Sequence, residues 1–297
     1  MKEAIIKGHK VFHSIRKKLF PNLSSRSVPF ANTIIAKIMS IKVEEINTFW
    51  GDRFILDDLD SLELSYSNSF EKEESVVFEN FIKEGMFILD IGANIGYHTL
   101  YFCKLCGPKG KVIAFEPDPQ NFRILTKNIE INGYTNVESH NLGVGTENKK
   151  GHLAISNNNT AGNSIVEVDK TSEEIETVSI EIVKLDDFLP KDQKIDFIKI
   201  DIEGYEPFAF HGMKQLLRKQ EKLGLLIEFC PSMLRDRNIS PNSFLTQLQE
   251  IGFRIYETDK KREITNDRID EFVINCTHYA NLIGAKGDLS ISSFLPS

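Results

Sequence analysis

The chain has 297 residues, 41% of them hydrophobic and 27% charged, enough to bury a large core as one domain with additions. It holds no run of about eighteen apolar residues, so no membrane-spanning helix is expected. Its net charge of −7 argues against a nucleic-acid groove, which needs a basic face.

Residues 1–41 read as a basic helical arm. Up to residue 43 there are nine Lys or Arg side chains against one acid, Glu3, which leaves −15 for the remainder. Val11, Phe12, Ile15, Leu19, Phe20 and the run Ile34–Met39 interleave with those bases. Two readings stay open: an amphipathic segment touching an anionic membrane surface, or a helical appendage covering the sheet or a partner subunit. Lys2 and Lys7 precede no long apolar core, so a secretory signal is not expected. The four cysteines are few for this length and point to a reducing, cytoplasmic setting. Residues 42–70 read as a β-hairpin around Trp50-Gly51-Asp52, with Phe54, Leu56, Leu62 and Leu64 as core contacts. A helix over 71–84 then leads into the first strand of the main domain, residues 71–284.

Phe87–Asp90 is a short apolar run ending in an acid. Gly92-Ala93-Asn94-Ile95-Gly96 follows, and a helical segment comes after it. Glycines let the backbone turn tightly and lie close to a ligand, and the helix start offers N–H groups. A dinucleotide loop of the form G-x-G-x-x-G would need glycines at 94 and 97, where the chain has Asn94 and Tyr97. The pattern D-x-G-x-x-x-G suits S-adenosylmethionine (SAM) instead. Asp90 can face its ammonium, and the loop amides and helix start its carboxylate. Cys103 and Cys106 fall inside that helix and read as packing residues.

Lys111–Phe115 reads as the second strand, closed by Glu116, 26 residues past Asp90. A carboxylate there can accept both ribose hydroxyls of a nucleoside. Pro117 and Pro119 stop the strand, and a helix over 119–132 ends at Asn132-Gly133. A third strand is expected near 136–142. A second hairpin has strands near 151–156 and 177–184 and a polar loop, Asn157–Ser164, of the length of many lids and binding loops. The cofactor-binding candidates are therefore Asp90, Gly92, Ala93, Asn94, Gly96, Glu116 and the adjoining Pro117.

Ile195–Glu206 alternates apolar and polar residues and breaks at Gly204. Lys199, Asp201 and Glu203 share one face of this fourth strand. A parallel strand buried on both faces should be almost wholly apolar, so these charges need partners or a ligand. Asp201 is the candidate general base, Lys199 its charge partner and Glu203 a third catalytic candidate. A close ammonium would also lower the basicity of Asp201, which keeps a second role open. With Glu228 at the end of the fifth strand, Asp201 and Glu203 could hold a divalent cation that acidifies an acceptor hydroxyl. His98 and His211 are alternative bases. A last strand pair is expected at Arg254–Glu257 and Glu271–Cys276, and residues 285–297 read as a poorly structured tail.

The LD-x-GAN-x-G loop, the Phe115-Glu116-Pro117 turn and the K-x-D-x-EG-x-E segment over Lys199–Glu206 occur in order. They are joined by Asn128–Gly133, Leu185–Leu189 and Glu228. Over roughly residues 65 to 260 the chain thus resembles the FkbM-type family of SAM-dependent methyltransferases. The resemblance implies an α/β, Rossmann-like class I methyltransferase fold, a doubly wound sheet of seven strands with the last antiparallel. It also implies methylation of a hydroxyl on a sugar, glycan or secondary-metabolite acceptor. The alternative is a non-catalytic SAM- or nucleotide-binding regulator or scaffold, against which the buried acids at the strand ends count.

Overall fold

A computed structural model describes residues 43–65, 67, 69–156, 160–166 and 176–295. The basic arm and its expected membrane or packing role lie outside the described residues. The chain divides into two units, one ending at Phe70 and one beginning at Glu71. In the first, β1 (Glu45–Asn47) and β2 (Arg53–Ile55) pair antiparallel, with Ile46 opposite Phe54. Trp50 Nε1 donates to Asp52 Oδ2 at 2.7 Å across the turn. Phe54, Leu56, Leu62 and Leu64 are all buried.

The second unit opens with α1 (Lys72–Phe81), β3 (Phe87–Ile91), α2 (Tyr97–Cys106), β4 (Lys111–Phe115), α3 (Pro119–Asn132) and β5 (Val137–His140). The start of α3 follows its sequence closely. Asp118 Oδ1 caps Gln120 N at 2.7 Å, Pro119 fills the first turn, and Gly133 closes the helix at φ 69°. An insertion follows: β6 (Gly143–Val144), β7 (Lys149–Ala154), β8 (Ser164–Val166) and β9 (Thr177–Val183) form a separate sheet in the order β6-β9-β7-β8. The main unit resumes with α4 (Leu185–Phe188), β10 (Phe197–Ile200), α5 (Glu206–Gly212), α6 (Lys214–Lys219), β11 (Leu223–Phe229) and α7 (Pro231–Asp236). It ends with α8 (Pro241–Glu250), β12 (Phe253–Glu257), β13 (Arg262–Glu263), α9 (Ile269–Asn275) and β14 (Ala280–Lys286).

The main sheet has eight strands in the order β13-β12-β14-β11-β10-β3-β4-β5. Strands β5, β4, β3, β10 and β11 are mutually parallel, and β14 runs antiparallel to both β11 and β12. This is the class I methyltransferase arrangement with one addition, the two-residue β13, so the expected seven strands become eight. Strands β3, β4, β10 and β11 are buried nearly throughout, as a parallel sheet covered on both faces requires. Strand order reverses between β3 and β10, and such a switch point opens a crevice beyond the carboxyl ends of the strands.

Two expectations at the C-terminal end are corrected. Residues 271–276 are not a strand but lie mostly in α9, where Ile269, Phe272 and Val273 recur at helical spacing and bury one face. The last strand is instead β14, whose Ala280, Gly284 and Ala285 make a weak strand signal. Gly284 keeps this strand slim: a Cβ there would stand only 3.0 Å from both Leu225 Cβ and Phe253 Cδ1 on the flanking strands. The tail is also ordered where described: Phe294 is buried and stacks on Phe81 at 4.3 Å. Cys103 and Cys106 are buried in α2, as their helical spacing implied.

Candidate functional site

The crevice is built where β3 meets β10. A Cβ on Gly92 would fall 1.8 Å from the carbonyl oxygen of Asp201, so the loop after β3 lies flush against the end of β10. Gly92, Asn94 and Gly96 sit at φ 88°, 50° and 96°, a left-handed course that glycine and asparagine tolerate best. The loop amides do not face outward as expected. Gly92 and Ala93 both donate to Phe115 O at 3.0 Å, Asn94 to Glu116 Oε2 at 2.7 Å, Ile95 to Asn94 Oδ1 at 2.6 Å and Gly96 to Ala93 O at 2.9 Å. These bonds fix the loop itself, and no side chain caps the start of α2.

Asp90 is fully buried beneath this loop. Its Oδ2 accepts from Thr99 Oγ1 at 2.5 Å, and its Oδ1 is buried with no hydrogen-bond partner. Burial pushes its carboxyl above the usual range, while the Lys199 ammonium opposes the rise. An orphaned carboxylate oxygen of this kind costs free energy unless a donor arrives. Glu116 closes β4, with Oε2 bonded to Asn94 N and Oε1 to Asp118 N at 2.8 Å. Burial raises its carboxyl to about 8, partly offset by those two amides. A carboxylate has about four acceptor positions, so two backbone bonds leave it able to take two hydroxyls. Asn141 Nδ2 fixes the turn, donating to Glu116 O at 2.8 Å and to Pro117 O at 3.0 Å. The orphaned Asp90 oxygen and the unfilled acceptor capacity of Glu116 fit an amino-acid-bearing nucleoside such as SAM.

The reactive candidates gather beside this cradle. Lys199 Nζ lies 2.8 Å from Asp201 Oδ2, and its side chain is almost wholly buried. Burial alone would lower the Lys199 ammonium, but Asp201, Asp90 and Glu71 together lift it above its ordinary value. Carboxylate oxygens of Asp201, Glu203 and Glu228 lie within 4.8 Å of one another. Burial, then Asp201 and Glu206, raise Glu203 to about 7; burial, then Asp201 and Glu203, hold Glu228 well above the carboxylate range. Glu203 sits at φ 54° and Gly204 at 83°. Buried Glu206 pins that turn by accepting Ile202 N at 3.0 Å and Gly204 N at 3.1 Å, and burial raises it to about 7.

The two alternative bases do not join the acids. His98 is buried among aromatic rings, with Nε2 3.5 Å from Glu71 Oε2, and burial followed by Lys199 lowers it well below its ordinary range. His211 is exposed at the end of α5. Glu71, in contrast, was not singled out by sequence and feels Lys199 directly; burial raises it. Its position before a helix gave no local signal. Farther along the same rim, a cavity of about 580 Å³ is lined by Glu74, Lys260, Arg262, Tyr279 and Asn281 among others. Asn281 stands opposite Glu228 in the β11–β14 register, so this cavity adjoins the acids on the side away from the glycine loop.

Residues 90–255 match the family described as Methyltransferase FkbM domain. Among curated proteins, Methyltransferase 1 of Beauveria bassiana is 29% identical, covering 43% of this chain and 58% of its own length. Methyltransferase sdnD of Sordaria araneosa is 32% identical, covering 43% and 61%. The hexuronic acid methyltransferase AglP of Haloferax volcanii is 30% identical, covering 43% and 50%. The chain thus spans about half to three fifths of these relatives. A crystal structure of methyltransferase FkbM from Methylobacillus flagellatus aligns at TM-score 0.42 and 20% identity, over 69% of this chain and 44% of that one.

Proposed function

Since the chain belongs to the FkbM methyltransferase family, we propose that it transfers the methyl group of SAM to a hydroxyl of a sugar, glycan or similar secondary-metabolite acceptor. The observation that carries this reading is the contact between Gly92 and the Asp201 carbonyl. It joins a nucleoside cradle to a set of half-buried acids with no intervening wall, so a methyl donor and a proton acceptor can share one crevice.

Bound SAM supplies an electrophilic methyl on a cationic sulfur. Glu116 holds the ribose hydroxyls, Asp90 takes the ammonium, and the start of α2 faces the carboxylate. Asp201 removes the acceptor proton. Lys199 holds Asp201 in place through the 2.8 Å ion pair. Orientation of the acceptor against the methyl donor supplies up to several kcal/mol, and the base a further factor of about a hundred or more. The rim cavity beside Glu228 is of a size for a small acceptor, since such sites run to roughly 300–1,000 Å³. Its lining of carboxylates, guanidinium groups and amides suits a polyhydroxylated molecule, in keeping with the sugar acid named for one relative.

A second reading rests on the three carboxylates within 4.8 Å of one another. Asp201, Glu203 and Glu228 would hold a divalent cation, which would acidify the acceptor hydroxyl. The test is calorimetry with SAM, followed by incubation with SAM and a panel of glycosides and mass spectrometry of the products. Binding with transfer to a hydroxyl is the expected result. Binding without transfer to any acceptor, in the panel or in cell extract, would favour a SAM-binding scaffold. No SAM binding would end both readings.

A further inference from the structure

Arg237 follows α7 and reaches two separate segments. Its Nη1 donates to Ile165 O in β8 at 2.8 Å, and its Nη2 to Glu203 O at 3.2 Å. The guanidinium also lies 5.5 Å from the centre of the Tyr205 ring, which itself packs with Leu153, Ile165, Ile180 and Ile182 of the inserted sheet. Gly204 makes this approach feasible, since a Cβ there would stand 3.2 Å from Arg237 Nε and 2.8 Å from Met233 Cβ. A planar fork can serve two carbonyls at once and stack on a ring, which an ammonium cannot.

The same stretch of the insertion is tied down at its other end. Asn163 Nδ2 donates to Asp118 Oδ2 at 2.6 Å and its Oδ1 accepts Ser156 N at 2.8 Å, while Asn121 Nδ2 reaches Thr160 O at 3.3 Å. Asp118 is the residue whose amide holds Glu116. Residues 160–166 therefore run from the acid after β4 to the acids after β10, across the two strand ends that flank the crevice.

We propose that Arg237 is a positioning residue that latches this strap to the Glu203 turn, so that cofactor enclosure and the setting of the Glu203 carboxylate are coupled. Glu203 and Gly204 both occupy left-handed backbone, and the inner side of the turn is pinned by Glu206 and by Tyr205 N donating to Ile202 O at 3.2 Å. Arg237 pins the outer carbonyl and converts strap closure into a fixed Glu203 orientation. The enclosure half rests on SAM being the cofactor; the latch itself does not.

Hydrogen–deuterium exchange and stopped-flow SAM dissociation test the two halves separately. Arg237→Ala and Arg237→Lys are both expected to speed exchange of residues 160–166 at least tenfold, with β3 and β11 unchanged, and to raise the SAM dissociation rate at least tenfold with little change in association. Asn163→Ala, at the strap's other end, is expected to act in the same direction, and the double variant Asn163→Ala/Arg237→Ala to add little. Unchanged strap exchange in Arg237→Ala, an equal rise throughout β3 and β11, or an Arg237→Lys variant that behaves as the parent would overturn the latch. Failure to bind SAM in the parent protein would remove the cofactor reading while leaving the exchange result to decide the latch.

Discussion

The backbone N–H of Asn94 donates to Oε2 of Glu116 at 2.7 Å, so the loop after β3 and the acid after β4 form one hydrogen-bonded unit. Glu116 therefore holds the loop, and in the proposed function it also receives the ribose. Glu116→Ala should weaken SAM binding by at least tenfold in calorimetry and also loosen the loop, seen as faster amide exchange at 92–96. An affinity unchanged by the substitution would remove the ribose assignment.

Glu116, Glu203 and Glu206 all have carboxyls raised from 4.5, to about 8, 7 and 7 respectively. For an acid raised on folding, the stabilising contribution is complete below the unfolded value and is lost as pH climbs through the folded one. Protein without SAM should thus lose thermal stability steadily between about pH 4.5 and 8. Glu116→Gln should flatten that slope in melting curves, because its side chain no longer titrates. A parent melting temperature that rises across this window would contradict the burial described.

Lys199 is the cation among Asp90, Asp201 and Glu71, each of which raises it. Lys199→Met removes that cation and leaves buried acids facing one another. Breaking a buried pair from one side typically costs about 3–5 kcal/mol. Urea denaturation should show a loss of this order, and a loss below about 1 kcal/mol would mean that water screens the cluster.

Asp201→Asn is expected to keep SAM affinity within a few-fold and to lower turnover by about a hundredfold or more, the usual contribution of a general base. The same assay with a chelator separates the two readings of the acids. Turnover indifferent to chelation supports Asp201 as an unaided base. Loss on chelation with recovery on adding Mg²⁺ would move the role to a cation held by Asp201, Glu203 and Glu228.

Gly92→Ala tests the contact that joins the two halves of the crevice. The added methyl meets backbone at 1.8 Å and cannot be relieved by a side-chain rotation. It should lower the melting temperature and weaken SAM binding together; a variant with parental affinity would show that β3 and β10 can part without cost.

Much of this was legible in sequence because local chemistry dictated it. Asp118-Pro119 and Gly133 bracket α3 through capping that acts within a few residues. Lys199 and Asp201 stood out because charges in a buried parallel strand demand a partner, and they are each other's. What escaped depends on tertiary neighbours. Glu271–Cys276 contains the apolar run Phe272-Val273-Ile274, which reads as a strand, but it buries its residues at helical spacing against a core that the sequence does not display. Strand β14 carries small residues because β11 and β12 press on both sides of it, which a propensity reading counts against it. Arg237 resembles any surface arginine until Ile165 and Glu203 are brought to it.

Strand β14 slots between β11 and β12, both of which precede it in the chain. Until residues 280–286 arrive, β11 and β12 each present an unpaired apolar edge, the kind of surface through which incomplete chains join one another. A chain cut before Ala280 would therefore fail by self-association rather than by simple loss of an edge strand. Asn281 and the cavity it lines would be missing as well, so a nascent chain can have its glycine loop and its acids in place before the cavity proposed for the acceptor exists.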